Sequence, residues 1–171
     1  MVVREECLPV GYNRQAAVAY AHRWAFARNP LFYDFSDLGG DCTNFISQCL
    51  YAGGGVMNLN HNPALAWFYL RPNNRSASWT GVPFLYHFLI HNKGPGPWAI
   101  HAPLAQAEAG DVIQLFFNGE DYGHSLFVVE VAGPDPYNIY IATHTYDSDF
   151  RPLSSYGYAE ARLLHIEGAR F

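Results

Sequence analysis

The sequence predicts an α+β fold in which N-terminal helices pack on a C-terminal antiparallel β-sheet. Apolar residues at helical spacing are confined to the first half of the chain, whereas runs rich in β-branched and aromatic residues begin after residue 110. A length of 171 residues is typical of one compact domain. Because no repeat, low-complexity tract or linker divides the sequence, we expect residues 1–171 to form a single domain.

Residues 13–28 predict the first helix. Its apolar face consists of Ala17, Tyr20, Ala21 and Trp24, at i, i+3, i+4 and i+7. Asn13 can cap the start of this helix. We expect it to end before Pro30, because the residue that precedes a proline avoids helical backbone angles.

A second helix is predicted to begin at or just before Cys42. Its apolar residues recur at helical spacing: Phe45, Ile46, Cys49 and Leu50. Gly39 and Gly40 precede it and permit backbone angles that are closed to other residues. Three consecutive glycines, residues 53–55, are expected to end it. This places Cys42 at a helix N-terminus.

Residues 56–80 show no clean periodicity and are expected to cross the surface of the domain irregularly. From Thr80 to Asn92 the apolar spacing predicts a third helix, which the glycines and prolines of residues 94–97 would stop.

Four later runs predict strands, at residues 111–117, 124–131, 138–146 and 161–167. Short turns separate the first three runs, so we expect an antiparallel meander, and the fourth strand would complete the sheet. The helices of the first half would then cover one face of this sheet.

The composition excludes several classes of function. The net charge of -5 and the lack of a Lys/Arg cluster argue against nucleic acid as a partner. The apolar runs are too short to span a membrane, and the N-terminus has no apolar signal-peptide core. We therefore expect a soluble chain without an export signal, while its compartment, cytoplasmic or extracellular, and its oligomeric state stay open.

Three cysteines, Cys7, Cys42 and Cys49, form neither a disulfide framework nor a zinc motif, because their number is odd and no CxxC pair occurs. No HExxH motif is present either. We expect no metal and no other cofactor. Cys49 would pack in the core, since free cysteine is among the most buried residue types.

Cys42 is the candidate nucleophile. A thiolate is the attacking form of cysteine, and the unpaired N–H groups of a helix N-terminus stabilise negative charge. Such a nucleophile needs a base within reach, and His124 opens a predicted strand directly after a turn. His144 lies near the end of the next strand, where antiparallel pairing would bring it close to His124.

Four segments resemble, in order, the motifs of the putative amidase domain family, a branch of the papain-like cysteine hydrolases related to bacterial cell-wall peptidases and CHAP amidases. They read DCTNFISQCLYAGG, GDVIQLFF, YGHSLFVVEV and THTYDSDFRPLSSY. The resemblance implies a papain-like core with Cys42 as nucleophile and His124 as general base. It also implies a polar residue that orients the imidazole, here His144, or alternatively Asp147.

One feature of the papain pattern is missing: residues 32–41 contain no glutamine to bind the oxyanion. The donor would then be the backbone, or a side chain such as Asp41 or Asn44. The resemblance implies a cysteine amidase or peptidase that acts on peptidoglycan stem peptides or a related bacterial peptide. A non-catalytic module that binds peptide or cell wall, and an acyltransferase that shares the thioester, are the alternatives.

Overall fold

The computed structural model describes residues 9–119 and 121–171, which fold into helices packed on an antiparallel sheet. The helices are α1 (Arg14–Trp24), α2 (Cys42–Gly54), α3 (Ala77–Thr80) and α4 (Val82–His91). The strands are β1 (Pro9–Val10), β2 (Tyr69–Arg71), β3 (Asn74–Arg75), β4 (Gly96–Ala102), β5 (Val112–Phe116), β6 (His124–Val131), β7 (Ile139–Thr143), β8 (Ser148–Pro152) and β9 (Glu160–Arg170). The expected α+β class is confirmed.

The main sheet has the strand order β1-β9-β5-β6-β7-β8, and β4 also pairs with β9. Every pairing is antiparallel. The predicted meander is confirmed, because β5, β6 and β7 are consecutive neighbours, and β9 joins them beside β5 as expected for the last strand. Strands β2 and β3 form a separate hairpin.

Two apolar cores lie on opposite faces of the sheet. The helix-side core is built on large aromatic side chains that are at most 1 % exposed: Phe45, Trp67, Trp79, Phe88 and Phe127. Their burial supplies most of the driving force for packing the helices on the sheet. The second core includes Leu126, Val128 and Leu153. Cys49 is fully buried in the helix-side core, as predicted.

Two predicted boundaries were wrong. Helix α1 begins as predicted, with the Asn13 side chain accepting the Ala16 N–H at 2.9 Å, but it ends at Trp24 rather than at residue 28. The Trp24 carbonyl is instead bonded by the ring of His144. Strand β7 ends at Thr143 rather than at residue 146, because Thr145 and Tyr146 adopt left-handed backbone angles and turn the chain into β8.

Several elements were missed, among them α3 and the strands β2, β3, β4 and β8. Residues 56–80, expected to be irregular, contain the β2–β3 hairpin and α3, both too short to show periodicity. Strand β4 begins inside the segment that was expected only to stop the third helix. It tolerates Pro97 because it is an edge strand that pairs with β9 alone. Strand β8 was merged with the loop after β7.

The first turn of α2 lies against the start of β6. The Thr43 and Ser125 hydroxyls are 3.1 Å apart, and Thr43 follows the first residue of the helix. Among the described residues no helix combines the length and the hydropathy that crossing a bilayer requires. The junction of α2 and β6 is where the predicted chemical residues meet.

Candidate active site

Cys42 is the first residue of α2, as predicted, and its side chain is almost entirely buried. The loop before it passes through Gly39 and Gly40 at φ 95° and 108°, angles that favour glycine, so the expected role of this pair is confirmed. The loop delivers the sulfur to the helix start beside the first residues of β6. Within the described chain, Cys42 and Cys49 are free thiols, whereas Cys7 lies outside the described residues.

Three polar groups lie beside the Cys42 sulfur: the Ser125 N–H, the Thr43 N–H, and the Thr43 hydroxyl at 3.7 Å, where either atom can donate. These donors lower the pKa of the thiol, but burial has a larger effect and raises it. The helix-start position therefore supplies donors for a thiolate without making the thiolate the resting form.

His124 is the first residue of β6, as predicted, and it immediately precedes the Ser125 N–H that meets Cys42. The structure thus brings the two predicted catalytic residues to one place. Burial, and secondarily the positive charge of Arg151, lowers the pKa of His124 to about 4. Its ring makes no hydrogen bond to any described residue. It is a neutral imidazole with both nitrogens uncommitted.

A cavity of about 350 Å³ opens beside the His124 ring. It is lined by Phe117, Gly123, His124, Thr145, Tyr146, Arg151 and Tyr156. Thr145 and Tyr146 form its rim in left-handed conformations, at φ 67° and 58°. Such angles are costly for residues other than glycine and concentrate at functional sites.

His144 does not contact His124. Its Nδ1 lies 2.5 Å from a carboxylate oxygen of Asp41, and its Nε2 lies 2.8 Å from the Trp24 carbonyl. Because a carbonyl only accepts, Nε2 must carry a hydrogen, so Nδ1 and Asp41 share one further proton. The pair is buried, with the His144 ring stacked on Phe45 at a centroid distance of 4.1 Å.

Neither predicted side-chain oxyanion donor faces the cavity. The Asp41 carboxylate only accepts, from the Phe35 N–H, the Asn44 amide and His144. The Asn44 amide is used up by its bonds to Asp41 and to the Tyr33 carbonyl. Both residues brace the loop before Cys42, so neither the Asp41 nor the Asn44 side chain is free to donate to an oxyanion in the cavity.

Asp147, the alternative third residue, is bound elsewhere. Both of its carboxylate oxygens accept from the Arg28 guanidinium, at 2.9 and 3.0 Å. Arg28 also lies 3.3 Å from Asp34 and 3.7 Å from Asp41. This arginine ties the β7–β8 turn to the loop that leads to Cys42.

Two residues that line the cavity were not predicted as site residues, Arg151 and Tyr156. The Tyr156 ring lies 5.9 Å from the His124 ring, and its buried hydroxyl has no hydrogen-bond partner among the described residues. Burial raises the pKa of this hydroxyl, although the nearby Arg151 and Ser148 side chains oppose the shift. Both residues belong to the 143–156 segment that carried the family resemblance, but one sequence gives no sign of which side chains face a cavity.

The described residues contain no group of three or more His, Cys, Asp or Glu side chains placed to hold a metal ion. The reactive or charged side chains near the cavity are the Cys42 thiol, the His124 imidazole, the Tyr156 hydroxyl and the Arg151 guanidinium.

Residues 11–166 match the model of a family described as "Putative amidase domain". The chain is also 36 % identical over 143 residues to "Uncharacterized protein YhbB" of Bacillus subtilis (strain 168). That alignment covers 82 % of this chain and 43 % of the relative, so the chain spans less than half of the relative's length. No solved structure matches the chain.

Proposed function

The chain belongs to the putative amidase domain family, and we propose on that premise that it is a papain-like cysteine hydrolase that cleaves an amide bond through a thioester on Cys42. One observation carries the proposal. The Cys42 sulfur accepts the N–H of Ser125, the residue after His124, whose uncommitted imidazole faces a cavity. The proposed nucleophile Cys42 is held at the start of α2, and the proposed base His124 is held at the start of β6.

The reaction begins with transfer of the thiol proton to His124 as the sulfur attacks the amide carbonyl. The resulting tetrahedral oxyanion collapses, the C–N bond breaks, and the His124 imidazolium protonates the departing amine. His124 then takes a proton from water, which attacks the thioester. Collapse of the second intermediate releases a carboxylic acid and returns the proton to the Cys42 thiol.

Both reacting groups are neutral before attack. Burial raises the pKa of Cys42 and lowers that of His124 to about 4, so a thiolate–imidazolium pair is not the resting state. Proton transfer then accompanies attack, and His124 acts as a general base rather than as the partner of a preformed thiolate.

Two donors are available for the oxyanion in the absence of a papain-type glutamine. The backbone N–H of Cys42, at the start of α2, donates to no described acceptor. The Tyr156 hydroxyl is buried at the cavity and unpaired. An unpaired buried donor is costly, by about 1–3 kcal/mol, and a developing oxyanion would satisfy it.

His144 acts through Asp41 as a positioning residue. The pair lies between the C-terminus of α1 and the N-terminus of α2, where a helix favours a cation and an anion respectively. Held by His144, Asn44 and the Phe35 N–H, the Asp41 carboxylate makes no capping bond to the N–H groups of α2. Those N–H groups stay free for the Cys42 sulfur and the oxyanion.

The substrate class we propose is the stem peptide of peptidoglycan or a related bacterial peptide. The test is incubation of the protein with soluble stem peptides and with peptidoglycan, followed by mass spectrometry of the products. Cys42→Ala should abolish release of new amino termini. Cys49→Ala, which changes a cysteine seven positions away inside the core, should retain activity per folded molecule.

Three results would each point elsewhere. Binding of the peptides without cleavage by the unmodified protein would favour a binding module. Products extended by an added amine would favour an acyltransferase. Cleavage that survives Cys42→Ala would overturn the cysteine mechanism itself.

A further inference from the structure

We propose that the cavity beside His124 binds a carboxylate of the substrate on the Arg151 guanidinium. This inference rests on the proposed function, since it assigns the cavity to the substrate, and it adds a chemical class: amides whose acyl or amine portion carries a free carboxylate near the scissile bond.

Arg151 is held in place from one side. Its Nε donates to the Ser155 hydroxyl at 2.7 Å, and its guanidinium carbon lies 3.8 Å from the centre of the Tyr156 ring. The Arg151 side chain lies close enough to the Tyr156 hydroxyl to lower the pKa of that hydroxyl, and it forms no ion pair with a described carboxylate. A guanidinium whose position is fixed and which has no carboxylate partner among the described residues matches the two oxygens of a substrate carboxylate.

No described carboxylate balances the charge of Arg151. Arg14 and Arg28 are paired with Asp111 and Asp147, each within 3.0 Å, whereas no carboxylate of residues 9–119 or 121–171 forms an ion pair with Arg151. Among the described residues that line the cavity there is no aspartate or glutamate. The cavity is therefore positive in a protein of net charge -5, and an anion is the complementary ligand.

Binding of the carboxylate would also affect the chemistry. The positive charge of Arg151 is one of the two causes that lower the pKa of His124. A carboxylate on Arg151 offsets that charge and raises the pKa of His124 again, which makes the imidazole a stronger proton acceptor. The acidic substrate would in this way activate the base that attacks it.

Alkylation of Cys42 tests the charge of the cavity without relying on turnover. Iodoacetate and iodoacetamide differ in charge, and their rates at Cys42 can be followed by peptide mass spectrometry. Relative to N-acetylcysteine, the iodoacetate-to-iodoacetamide ratio at Cys42 should be raised by about 3- to 10-fold at low ionic strength and less at high salt.

Three variants test whether the charge of Arg151 causes the raised iodoacetate-to-iodoacetamide ratio. Arg151→Met should remove the elevated ratio, and Arg151→Lys should retain it because the charge remains. Arg23→Met is the matched control, since Arg23 also lies against an aromatic ring, that of Trp24, but lines no part of this cavity. An iodoacetate ratio that is equal in the unmodified protein and in Arg151→Met would overturn the proposal.

A second measurement tests carboxylate recognition. A stem tetrapeptide with free carboxylates and the same peptide with those groups amidated are compared as substrates. The ratio of their kcat/KM values should favour the acidic peptide by about tenfold or more and should fall toward one in Arg151→Met. Arg151→Lys keeps the charge but has no paired N–H groups to bind both carboxylate oxygens, so it should keep only part of the preference for the acidic peptide.

The outcomes separate the two proposals. Cleavage of both peptides at equal rates, unchanged in Arg151→Met, sinks the carboxylate site and leaves the hydrolase standing. If neither peptide is cleaved, titration of the Cys42→Ala protein with each decides: tighter binding of the acidic peptide, lost when Arg151→Met is added, supports the site while hydrolysis fails. Equal binding of both peptides overturns the site as well.

Discussion

Two buried polar centres on the same sheet differ in how fully they are paired. Asp111, with no exposed surface, accepts from the Arg14 guanidinium, the His165 ring and the backbone N–H groups of Glu108 and Ile166, all within 3.0 Å. The cavity at the start of β6 is the opposite case. There His124 has no hydrogen bond to a described residue, and the Tyr156 hydroxyl is buried without a partner.

This difference in hydrogen bonding distinguishes polar groups that stabilise the fold from polar groups that are available for a reaction. A carboxylate with four hydrogen bonds ties α1 to β9 and has no bonding capacity left for a ligand. An unpaired buried hydroxyl costs stability, so a fold that keeps one beside an imidazole without hydrogen bonds gains something other than stability from it. We therefore assign the Asp111 centre to the fold and the His124 centre to the reaction.

The largest expected effect on the rate comes from replacing His124, the residue at the start of β6 without a hydrogen bond to any described residue. His124→Ala should lower kcat/KM on a cleaved stem peptide by about 10³-fold, because the general base is lost. The free energy of unfolding should change little at neutral pH, since no hydrogen bond is removed. Steady-state kinetics and urea unfolding measure the two effects, and a rate within tenfold of the unmodified protein would contradict the assignment.

Replacing Asp111, which is fully hydrogen-bonded, should lower the stability of the protein and leave its rate nearly unchanged. Asp111→Asn removes the charge that Arg14 and His165 both contact, and breaking such a buried pair should lower the free energy of unfolding by about 3 kcal/mol. The rate per folded molecule should stay within about threefold. A stable but inactive Asp111→Asn protein would erase the distinction between the two centres.

The difference in pH-dependent stability between the unmodified protein and His124→Gln should report on His124. Its pKa is about 4 in the folded chain and near 6.5 when unfolded, so below pH 6.5 the unfolded chain binds more protons at this residue. Stability is therefore full above pH 6.5 and is lost as the pH falls toward 4. Relative to His124→Gln, the unmodified protein should lose about 2 kcal/mol at pH 5. If the unmodified protein and His124→Gln lose the same free energy of unfolding between pH 6.5 and pH 4, His124 is not buried in neutral form.

Asp41 and His144 form an intermediate case, a fully paired group next to the nucleophile. His144→Gln and Asp41→Asn should each lower kcat by about tenfold with little change in KM, because both act on the position of Cys42. The double variant should be no worse than the worse single variant, since the two residues act as one unit. Additive losses, or a rise in KM alone, would argue that His144 has another role.

The smallest effect is expected for Asp147. Asp147→Asn weakens a partly exposed ion pair with Arg28 and should cost about 0.5–1 kcal/mol of stability. The rate should fall by less than about threefold. A loss of 100-fold or more, measured on the same stem peptide, would instead restore Asp147 as the residue that orients His124.

Local sequence signals were sufficient for much of this fold. Glycines at positive φ, the cap at Asn13 and the start of α2 at Cys42 follow from neighbouring residues, and the β5–β7 meander follows from β-branched runs with short turns. Strands β4 and β8 were missed because Pro97 and the polar residues of 148–152 mask them. Their place is set by pairing with β9 and β7.

The site was only partly predictable for a related reason. The positions of Cys42 and His124 at element starts are local properties, whereas the direction of a side chain depends on distant contacts. His144 was placed near His124 by strand pairing, but its ring turns toward Asp41 and the Trp24 carbonyl. The roles of Arg151 and Tyr156 depend on which groups leave them unpaired, and a sequence does not display that.

The hydrogen bond between Asp41 and His144 joins residues 103 positions apart, and the Thr43–Ser125 contact spans 82 positions. During synthesis, the helix that carries Cys42 is thus complete about 90 residues before His144, which follows β7, is added. A nascent or truncated chain that ends before His144 would hold the thiol without the contacts that fix it. We therefore expect the position of the Cys42 thiol to become fixed only when the sheet is complete.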